Sequence, residues 1–229
     1  MSTVYIVSLG SGEPENISLK AFRALTQCDV IFSPNGEAIR MLERLDTSGQ
    51  LMRNVVPLGI PMDKTNESNA TSIYISIADQ IIDYRQRGKK IAVVTIGDAG
   101  IYSSAFKIIN ILNTYNIPYE VLPGIPSFVA TMALAKCSLV AKNNNLSVLA
   151  NIASESDILS LLKKGDTVVV MKLSMYQEMI KEVIRSKGFP FVYIENIGSR
   201  EQFISTNREE LMARTFPYLS LIILKGQEL

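Results

Sequence analysis

Three glycine-containing segments of the sequence could hold a ligand. They are Gly10–Pro14 (GSGEP), Gly97–Tyr102 (GDAGIY) and Pro123–Phe128 (PGIPSF), and each directly follows a short apolar run typical of a buried strand. In an open parallel sheet, ligands bind outside the carboxyl ends of the strands. We therefore expect these three segments to form the binding edge of the molecule.

The first segment does not match the glycine patterns of the common nucleotide-binding loops. A dinucleotide fingerprint needs a third glycine at position 15, where the chain has Glu15, and the next helix is predicted to begin late, after a capping residue at Ser18. A Walker loop is excluded because no Gly-Lys-Ser/Thr follows. The alternative to a binding loop is a tight turn that uses glycine for positive φ.

The second segment places a carboxylate between two glycines. Gly97 and Gly100 would let the backbone approach a flat ligand while Asp98 accepts hydrogen bonds from hydroxyls or an amine. The alternative is that Asp98 caps the N-terminus of a helix. For the third segment, the alternative is a domain linker with a proline-set helix start.

The absence of histidine restricts the chemistry of these loops. The chain contains no histidine, which excludes Ser-His-Asp and Cys-His nucleophiles and histidine-ligated zinc or iron. The two cysteines, Cys28 and Cys137, form no Cys-x-x-Cys pair and are predicted to be small buried residues in a reducing compartment. We predict no metal site.

The elements that must position the loops alternate between strand and helix in the first half of the chain. Apolar runs predict strands at Val4–Leu9, Asp29–Phe32, Asn54–Leu58, Ile91–Ile96 (buried on both faces) and Tyr119–Leu122. Between them, helices are predicted with the apolar faces Leu19/Phe22/Leu25, Ile39/Leu42/Leu45, Ile73/Ile77/Ile81 (after a polar stretch, Asn66–Thr71) and Phe106/Ile109/Leu112. This alternation predicts a mainly parallel sheet with helices on both faces.

The second half repeats the alternation more loosely. A helix is predicted from Ser127 to about Lys136, followed by strands at Leu146–Ala150, Thr167–Met171, Phe191–Ile194 and Leu219–Leu224. The intervening helices include one carrying Met175, Met179, Val183 and Ile184, and one that begins with Asn207 and Glu210 as a helix-start box. With 229 residues, the chain is predicted to form two α/β domains, residues 1–122 and 123–229.

Charge and hydropathy limit the partners. Lys and Arg total 23 against 22 for Asp and Glu, so the net charge of +1 argues against a nucleic-acid partner. The basic cluster Arg85–Lys90 is explained as a helix end. No apolar run approaches the roughly 20 residues that span a bilayer, and the N-terminus lacks a basic leader, so we expect a cytoplasmic protein with no membrane partner.

Taken together, the three segments resemble the tetrapyrrole (corrin/porphyrin) methyltransferase family. In that family the first strand ends in a GxGxP-type loop, the fourth in a GDP-type loop, and the fifth runs into a PG(I/V)xS segment. The order and the whole length of the chain agree, including Ser18–Ala21, Cys28–Ile31 and Leu221–Gly226. One departure is Ala99, which stands where the family pattern has proline.

The resemblance implies a methyltransferase that uses S-adenosylmethionine as methyl donor. It implies a mixed sheet in the second domain, a cleft between the domains that holds the donor, a tetrapyrrole substrate and a homodimer. The implied donor-binding residues are Gly97, Asp98, Ile101, Tyr102, Ser127, Phe128, Met171, Asn196 and Ser220. Gly10, Gly12 and Pro14 would border the substrate, and Asp98 and Tyr102 are the candidates for a catalytic role.

Within the family, the chain is most similar to the members that methylate C20 of precorrin-2 or cobalt-factor II in cobalamin biosynthesis. The segments that carry this similarity are Val56–Met62, Ile101–Ser104, Gly124–Phe128 and Val169–Lys172. Other tetrapyrrole methylases (precorrin-4 C11 or uroporphyrinogen-III methyltransferases), an RNA ribose methylase and a diphthamide-pathway methylase are same-fold alternatives. A noncatalytic ligand-binding module is the alternative from another class. Lys20, Arg40 and Arg44 could meet substrate carboxylates, or could simply lie on solvated helix faces.

Overall fold

The computed structural model describes residues 3–34, 36–58 and 67–226, with side chains from residue 72 onward in the last range. The residues divide into two compact units, Met1–Pro126 and Ser127–Leu229. This division falls just after the predicted boundary between residues 122 and 123. The Gly59–Met62 part of the family resemblance and Asn66 of the predicted polar stretch lie outside the described residues.

The first unit is a parallel five-stranded sheet with helices on both faces. Its strands are β1 (Val4–Ser8), β2 (Val30–Ser33), β3 (Val55–Pro57), β4 (Ile91–Thr95) and β5 (Tyr119–Leu122), in the order β3-β2-β4-β1-β5. The helices are α1 (Leu19–Gln27), α2 (Gly36–Leu45), α3 (Glu67–Gln86) and α4 (Ala105–Thr114), with single 3₁₀ turns at Pro14–Asn16 and Met52–Asn54. The predicted alternation of this half is confirmed.

Period-two alternation along the strands builds two cores, one on each face of this sheet. Ile6 and Val93 pack with residues of α3 and α4, whereas their neighbours Val7 and Val94 pack with residues of α1 and α2. All five residues of β4 are buried, as predicted for a strand covered on both faces. Cys28 is buried in the second of these cores, and burial, with the nearby Asp29 carboxylate, raises the pKa of its thiol to about 12.

Three predicted helix faces need correction. In α1 the buried residues are Ala21, Ala24 and Leu25, and Leu19 is 61% exposed. In α4 the buried residues are Ala105, Ile108, Ile109 and Leu112, and Phe106 is 44% exposed. Met175 is 51% exposed in a 3₁₀ turn, Leu173–Tyr176, before the helix that carries Met179 and Val183. In α1 and α4 small alanines contribute to the buried face, a contribution that a search for large apolar residues overlooks.

Two further expectations also change. The polar stretch predicted to precede the third helix belongs to it from Glu67 onward, because α3 begins there. Cys137 is half-buried, in contrast to the prediction that both cysteines are buried.

The second unit has a mixed five-stranded sheet, as expected. Its strands are β6 (Leu146–Leu149), β7 (Thr167–Val170), β8 (Phe191–Glu195), β9 (Phe203–Ser205) and β10 (Ser220–Lys225), in the order β6-β7-β10-β8-β9. β6 and β7 are parallel, and the other neighbours are antiparallel. Its helices are α5 (Ser127–Leu134), α6 (Glu155–Leu162), α7 (Gln177–Lys187) and α8 (Arg208–Ala213). β9 was not predicted from the sequence, and it is only three residues long.

The predicted helix start at Asn207 is confirmed, but the predicted box with Glu210 is wrong. The Asn207 side chain accepts hydrogen bonds from the backbone N–H groups of Glu209 (2.8 Å) and Glu210 (3.2 Å). The Glu210 carboxylate does not return to the Asn207 backbone; it accepts from the Ser205 hydroxyl, which itself accepts from Asn207 N–H at 2.9 Å. Within the described ranges, no helix is long and apolar enough to cross a membrane.

Candidate functional site

The carboxyl ends of β1, β4 and β5 bring the three predicted segments together. These strands are neighbours in the sheet, with β1 between the other two. Gly10 and Gly97 exchange two backbone hydrogen bonds, with N···O distances of 3.1 and 2.7 Å. The first two loops are therefore joined by their backbones at the sheet edge, where the sequence predicted a binding edge.

The first loop is a tight turn held from outside by α2. Gly10 and Gly12 have φ values of +81° and +83°, which agrees with the tight-turn interpretation. The Arg44 guanidinium donates to the carbonyl of Gly12 at 2.6 Å and to the Glu13 carboxylate at 3.4 Å. Arg44 thus fixes the shape of this loop. The assignment of Gly10, Gly12 and Pro14 to a substrate stays a prediction.

Ser11 lies inside the same turn. The residue is 2% exposed, and its Oγ is, among the described residues, a buried side-chain atom without a hydrogen-bond partner. A serine between two glycines gives no sequence signal of its burial, so Ser11 was not among the predicted site residues.

Asp98 uses both carboxylate oxygens to hold backbone. Oδ1 accepts from Gly100 N–H at 2.8 Å, and Oδ2 accepts from Gly124 N–H at 2.9 Å. The helix-cap alternative for Asp98 is wrong, since α4 begins later, at Ala105. There the Ser103 hydroxyl accepts from Ala105 N–H at 3.1 Å and bonds the Thr95 hydroxyl at 2.9 Å. Asp98 therefore links the second loop to the third.

Gly124 is the point of closest approach of the three loops. A Cβ at this position would lie 2.6 Å from the Gly97 carbonyl oxygen, 2.7 Å from Ser8 Cβ and 3.0 Å from Gly10 N. Only glycine fits here, because a methyl group would overlap the backbone of Gly97 and the side chain of Ser8. The sequence indicated a loop at Gly124 but not this packing.

The outer side of the second loop is open. Gly97 has φ +70°, and a Cβ built on it meets no atom within 4 Å. Ile101 is half-buried, and Tyr102 is 53% exposed with φ +50°, a conformation that few residues other than glycine adopt. The backbone at Gly97 is therefore accessible to a ligand on the side where a Cβ would lie.

In the second unit, three predicted donor-binding residues lie along one edge of the mixed sheet. Met171 follows the end of β7, Asn196 follows the end of β8, and Ser220 begins β10, which runs antiparallel between those two strands. Asn196 has φ +48° and donates from its backbone N–H to the Leu219 carbonyl at 2.8 Å. The Ser220 hydroxyl donates to the Pro217 carbonyl at 2.6 Å, so it is already engaged.

Ser127 and Phe128 are the first two residues of α5. The Phe128 side chain is buried, and the Ser127 carbonyl accepts from the Thr131 hydroxyl at 2.7 Å. Their predicted contact with a donor stays a prediction, as does that of the three edge residues.

A charged cluster around the buried carboxylate of Glu195, beside Asn196, was missed from the sequence. Arg214 donates to Glu195 through Nε (2.5 Å) and through a terminal nitrogen (2.7 Å), and the Tyr193 hydroxyl donates to the same carboxylate at 2.5 Å. Burial opposes ionisation of Glu195, but the hydrogen bonds from Arg214 and Tyr193 hold its pKa below the usual value. Burial and the neighbouring Glu195 raise the pKa of Tyr193. The sequence signal for this cluster was a glutamate, Glu195, directly after the apolar run Phe191–Ile194.

The described parts of the chain contain no cluster of three or more histidine, cysteine, aspartate or glutamate side chains that could hold a metal ion. The polar groups at the described strand ends are instead hydroxyls, carboxylates and backbone amides. These groups can bind and orient a small molecule by hydrogen bonding.

Comparison with known proteins gives relatives over almost the whole chain. Precorrin-2 C(20)-methyltransferase of Sinorhizobium sp is 28% identical over 239 residues, covering 96% of this chain and 94% of that protein. Cobalt-precorrin-2 C(20)-methyltransferase of Salmonella typhimurium is 26% identical over 233 residues, covering 98% and 96%.

Structural comparison agrees at the level of fold. The solved structure of a cobalt precorrin-4 methyltransferase superposes with a TM-score of 0.76 at 17% identity, covering 97% of this chain and 94% of that one. The sequence model of the tetrapyrrole (corrin/porphyrin) methylases matches residues 3–212. The chain therefore belongs to the tetrapyrrole (corrin/porphyrin) methylase family.

Proposed function

We propose that this protein transfers a methyl group from S-adenosylmethionine to C20 of precorrin-2 or cobalt-factor II in cobalamin biosynthesis. The observation that carries the proposal is the near-complete alignment with two proteins named as C(20)-methyltransferases of precorrin-2 and cobalt-precorrin-2. The two alignments cover 94% and 96% of these relatives. We further propose that the protein is cytoplasmic and that it forms a homodimer. Light scattering of the purified protein tests the dimer.

The second loop offers accessible groups that a polar donor can contact. Gly97 offers backbone with open space beside it, and Tyr102 is 53% exposed. When bound, S-adenosylmethionine supplies an already electrophilic methyl group, so the protein needs chiefly to orient the reacting atoms and exclude water. This requirement is consistent with a chain that has no histidine.

Asp98 and Tyr102 take different roles in this proposal. Both oxygens of Asp98 accept backbone N–H groups, so Asp98 acts as a positioning residue that fixes the second and third loops. Tyr102 is exposed and is the remaining candidate for contact with the reacting groups. We propose Gly97, Ile101 and Tyr102 in the first unit, and Ser127, Phe128, Met171 and Asn196 in the second, as donor contacts. Ser220 would contribute backbone, because its hydroxyl is engaged.

Transfer of label tests the reaction. The protein is incubated with methyl-labelled S-adenosylmethionine and, in separate arms, precorrin-2, cobalt-factor II and uroporphyrinogen III. We expect one methyl group to be incorporated at C20 in one or both of the first two arms, with S-adenosylhomocysteine released in equal amount. Label that enters only uroporphyrinogen III would reject the C20 assignment, and no transfer in any arm would reject the proposed activity.

A matched pair of glycine substitutions tests the donor loop. Gly97 and Gly49 have nearly the same φ, +70° and +71°, and at both an added Cβ meets no atom within 4 Å. Alanine at either position should therefore cost a similar stability, about 1–2 kcal/mol. We expect only Gly97→Ala to weaken binding of S-adenosylhomocysteine, by tenfold or more in calorimetry, because its methyl group occupies the open side of the donor loop. Equal affinities in the two variants would contradict the assignment.

A further inference from the structure

The side chain of Ser8 reaches into the second loop from a different strand. Ser8 is the last residue of β1 and is completely buried. Its Oγ accepts a hydrogen bond from the backbone N–H of Ala99 at 2.9 Å, and Ala99 is also completely buried. The two residues are 91 positions apart in the sequence, so this contact exists only in the folded chain.

This hydrogen bond completes a set that fixes the first part of the loop. Gly97 is bound through its backbone to Gly10, and Gly100 is bound to the Asp98 carboxylate. Ala99 lies between Asp98 and Gly100, and its amide is held by Ser8. The direction of the Asp98 side chain depends on the backbone on both sides of it. Ser8 therefore helps to aim the carboxylate that holds Gly124.

Ser8 also contacts the third loop. Its Cβ lies 2.7 Å from the position that a Cβ at Gly124 would take, so the serine side chain packs directly against that glycine. One small polar side chain thus contacts both loops that follow β4 and β5. A larger residue at position 8 would push the third loop away, and an apolar residue of the same size would leave the Ala99 amide without its acceptor.

We propose that Ser8 is a positioning residue for the donor-binding loop, and that Ser8 and Ala99 act as a coupled pair. The proposal rests on the assignment of this loop to S-adenosylmethionine. Proline, which the resembling family pattern has at position 99, fixes the backbone through its ring and has no N–H. Alanine restores the N–H, and the hydroxyl of Ser8 accepts it. The hydrogen bond replaces the restraint that the ring would provide.

A double-mutant cycle tests the coupling. The variants are Ser8→Ala, Ala99→Pro and the double substitution, and the readout is the dissociation constant of S-adenosylhomocysteine together with KM and kcat. We expect Ser8→Ala to raise the dissociation constant and the KM for the donor about tenfold with a smaller change in kcat. Ala99→Pro alone removes the backbone N–H of residue 99, which leaves the buried hydroxyl of Ser8 without its hydrogen-bond partner. The double variant, which lacks both partners, should bind more tightly than the product of the two single effects predicts.

Ser205→Ala is the matched control. Ser205 is also a buried serine at the end of a strand, and its Oγ also accepts a backbone N–H at 2.9 Å, that of Asn207. We expect Ser205→Ala to lower the melting temperature and to leave the dissociation constant unchanged. An unchanged dissociation constant in Ser8→Ala, or strictly multiplicative effects in the cycle, would overturn the proposal.

Hydrogen exchange on the unsubstituted protein supplies a test that needs no variant. The Ala99 amide should exchange slowly because it is buried and hydrogen-bonded, and S-adenosylhomocysteine should slow it further. Exchange at the rate of an open loop amide would overturn the proposal. If the unsubstituted protein binds no S-adenosylhomocysteine, the proposed function fails. If it binds and Ser8→Ala binds equally well, only the present inference fails.

Discussion

At the scale of single residues, the glycines of the candidate site serve two different physical needs. Position 97 requires glycine because its φ is positive, and there is open space beside it. Gly124 has no such φ requirement, and its Cα instead lies against the Gly97 carbonyl, Ser8 and Gly10. Substitutions at these two positions should consequently fail in different ways: one by covering a ligand surface, the other by separating the loops.

Gly124→Ala should destabilise the first unit. The added methyl would lie 2.6 Å from the Gly97 oxygen and 2.7 Å from Ser8 Cβ, so the third loop must move or the strand ends must separate. We expect a loss of about 1–3 kcal/mol in the free energy of unfolding, measured by urea denaturation. Gly36→Ala is the control, since a Cβ there meets its nearest atom, on Arg40, at an ordinary 3.5 Å. If Gly124→Ala were as stable as Gly36→Ala, the close packing of the loops would be refuted.

The sequence located these residues but not their partners. The glycine loops follow apolar runs, and parallel strands end at one edge, so their proximity was predictable. The bonds from Asp98 to Gly124 and from Ser8 to Ala99 join residues 26 and 91 positions apart, and such pairs carry no local pattern. Ser8 looked like an ordinary residue of an apolar strand. Its role depends on which backbone amide the neighbouring loop presents.

At the scale of helices and strands, the existence of the helices was predicted better than the identity of their buried faces. Apolar residues at helical spacing gave the existence of α1 and α4, and the predicted faces were taken from large side chains. The actual faces include alanines, which let a helix approach the sheet closely: Ala21 and Ala24 in α1 and Ala105 in α4. β9 was missed because three residues at a sheet edge contain too little alternation to distinguish a strand from a loop.

The Glu195–Arg214 pair connects β8 to the chain that follows α8, and it should make the second unit sensitive to acid. The pKa of Glu195 in the folded chain lies below its ordinary 4.5, because hydrogen bonds from Arg214 and Tyr193 outweigh the opposing effect of burial. The unfolded chain therefore takes up the proton first as the pH falls. The stabilisation is complete above the ordinary value and decreases as the pH falls from there through the lowered pKa.

Glu195→Gln should remove this part of the pH dependence. We expect the variant to lose about 1–3 kcal/mol at neutral pH, measured by urea unfolding with circular dichroism, and to approach the unsubstituted protein as the pH is lowered from 5 to 3. Glu182→Gln is the control, because Glu182 forms an exposed pair with Arg185 and should change stability by under about 0.5 kcal/mol. Parallel pH profiles for Glu195→Gln and the unsubstituted protein would contradict the role of the pair.

At the scale of the whole molecule, the near-neutral charge is also locally balanced. Lys and Arg exceed Asp and Glu by one, and the basic cluster Arg85–Lys90 at the end of α3 has acidic neighbours. Arg87 pairs with Asp83 at 2.7 Å, and Lys89 lies 3.9 Å from Asp29. A phosphate backbone approaching this cluster would have to compete with carboxylates that are already in place.

We therefore expect the protein to bind RNA only weakly, which distinguishes it from a same-fold methylase acting on ribose. Binding driven by phosphate contacts requires several unpaired cations and weakens by about 10³–10⁵ between 50 and 200 mM salt when six to ten contacts form. Fluorescence anisotropy of a labelled structured RNA at both salt concentrations measures this. We expect a dissociation constant weaker than roughly 10⁻⁴ M at the higher concentration, while S-adenosylhomocysteine binding, measured in parallel as the control, changes little. Submicromolar RNA binding with a steep salt dependence would contradict the small-molecule assignment.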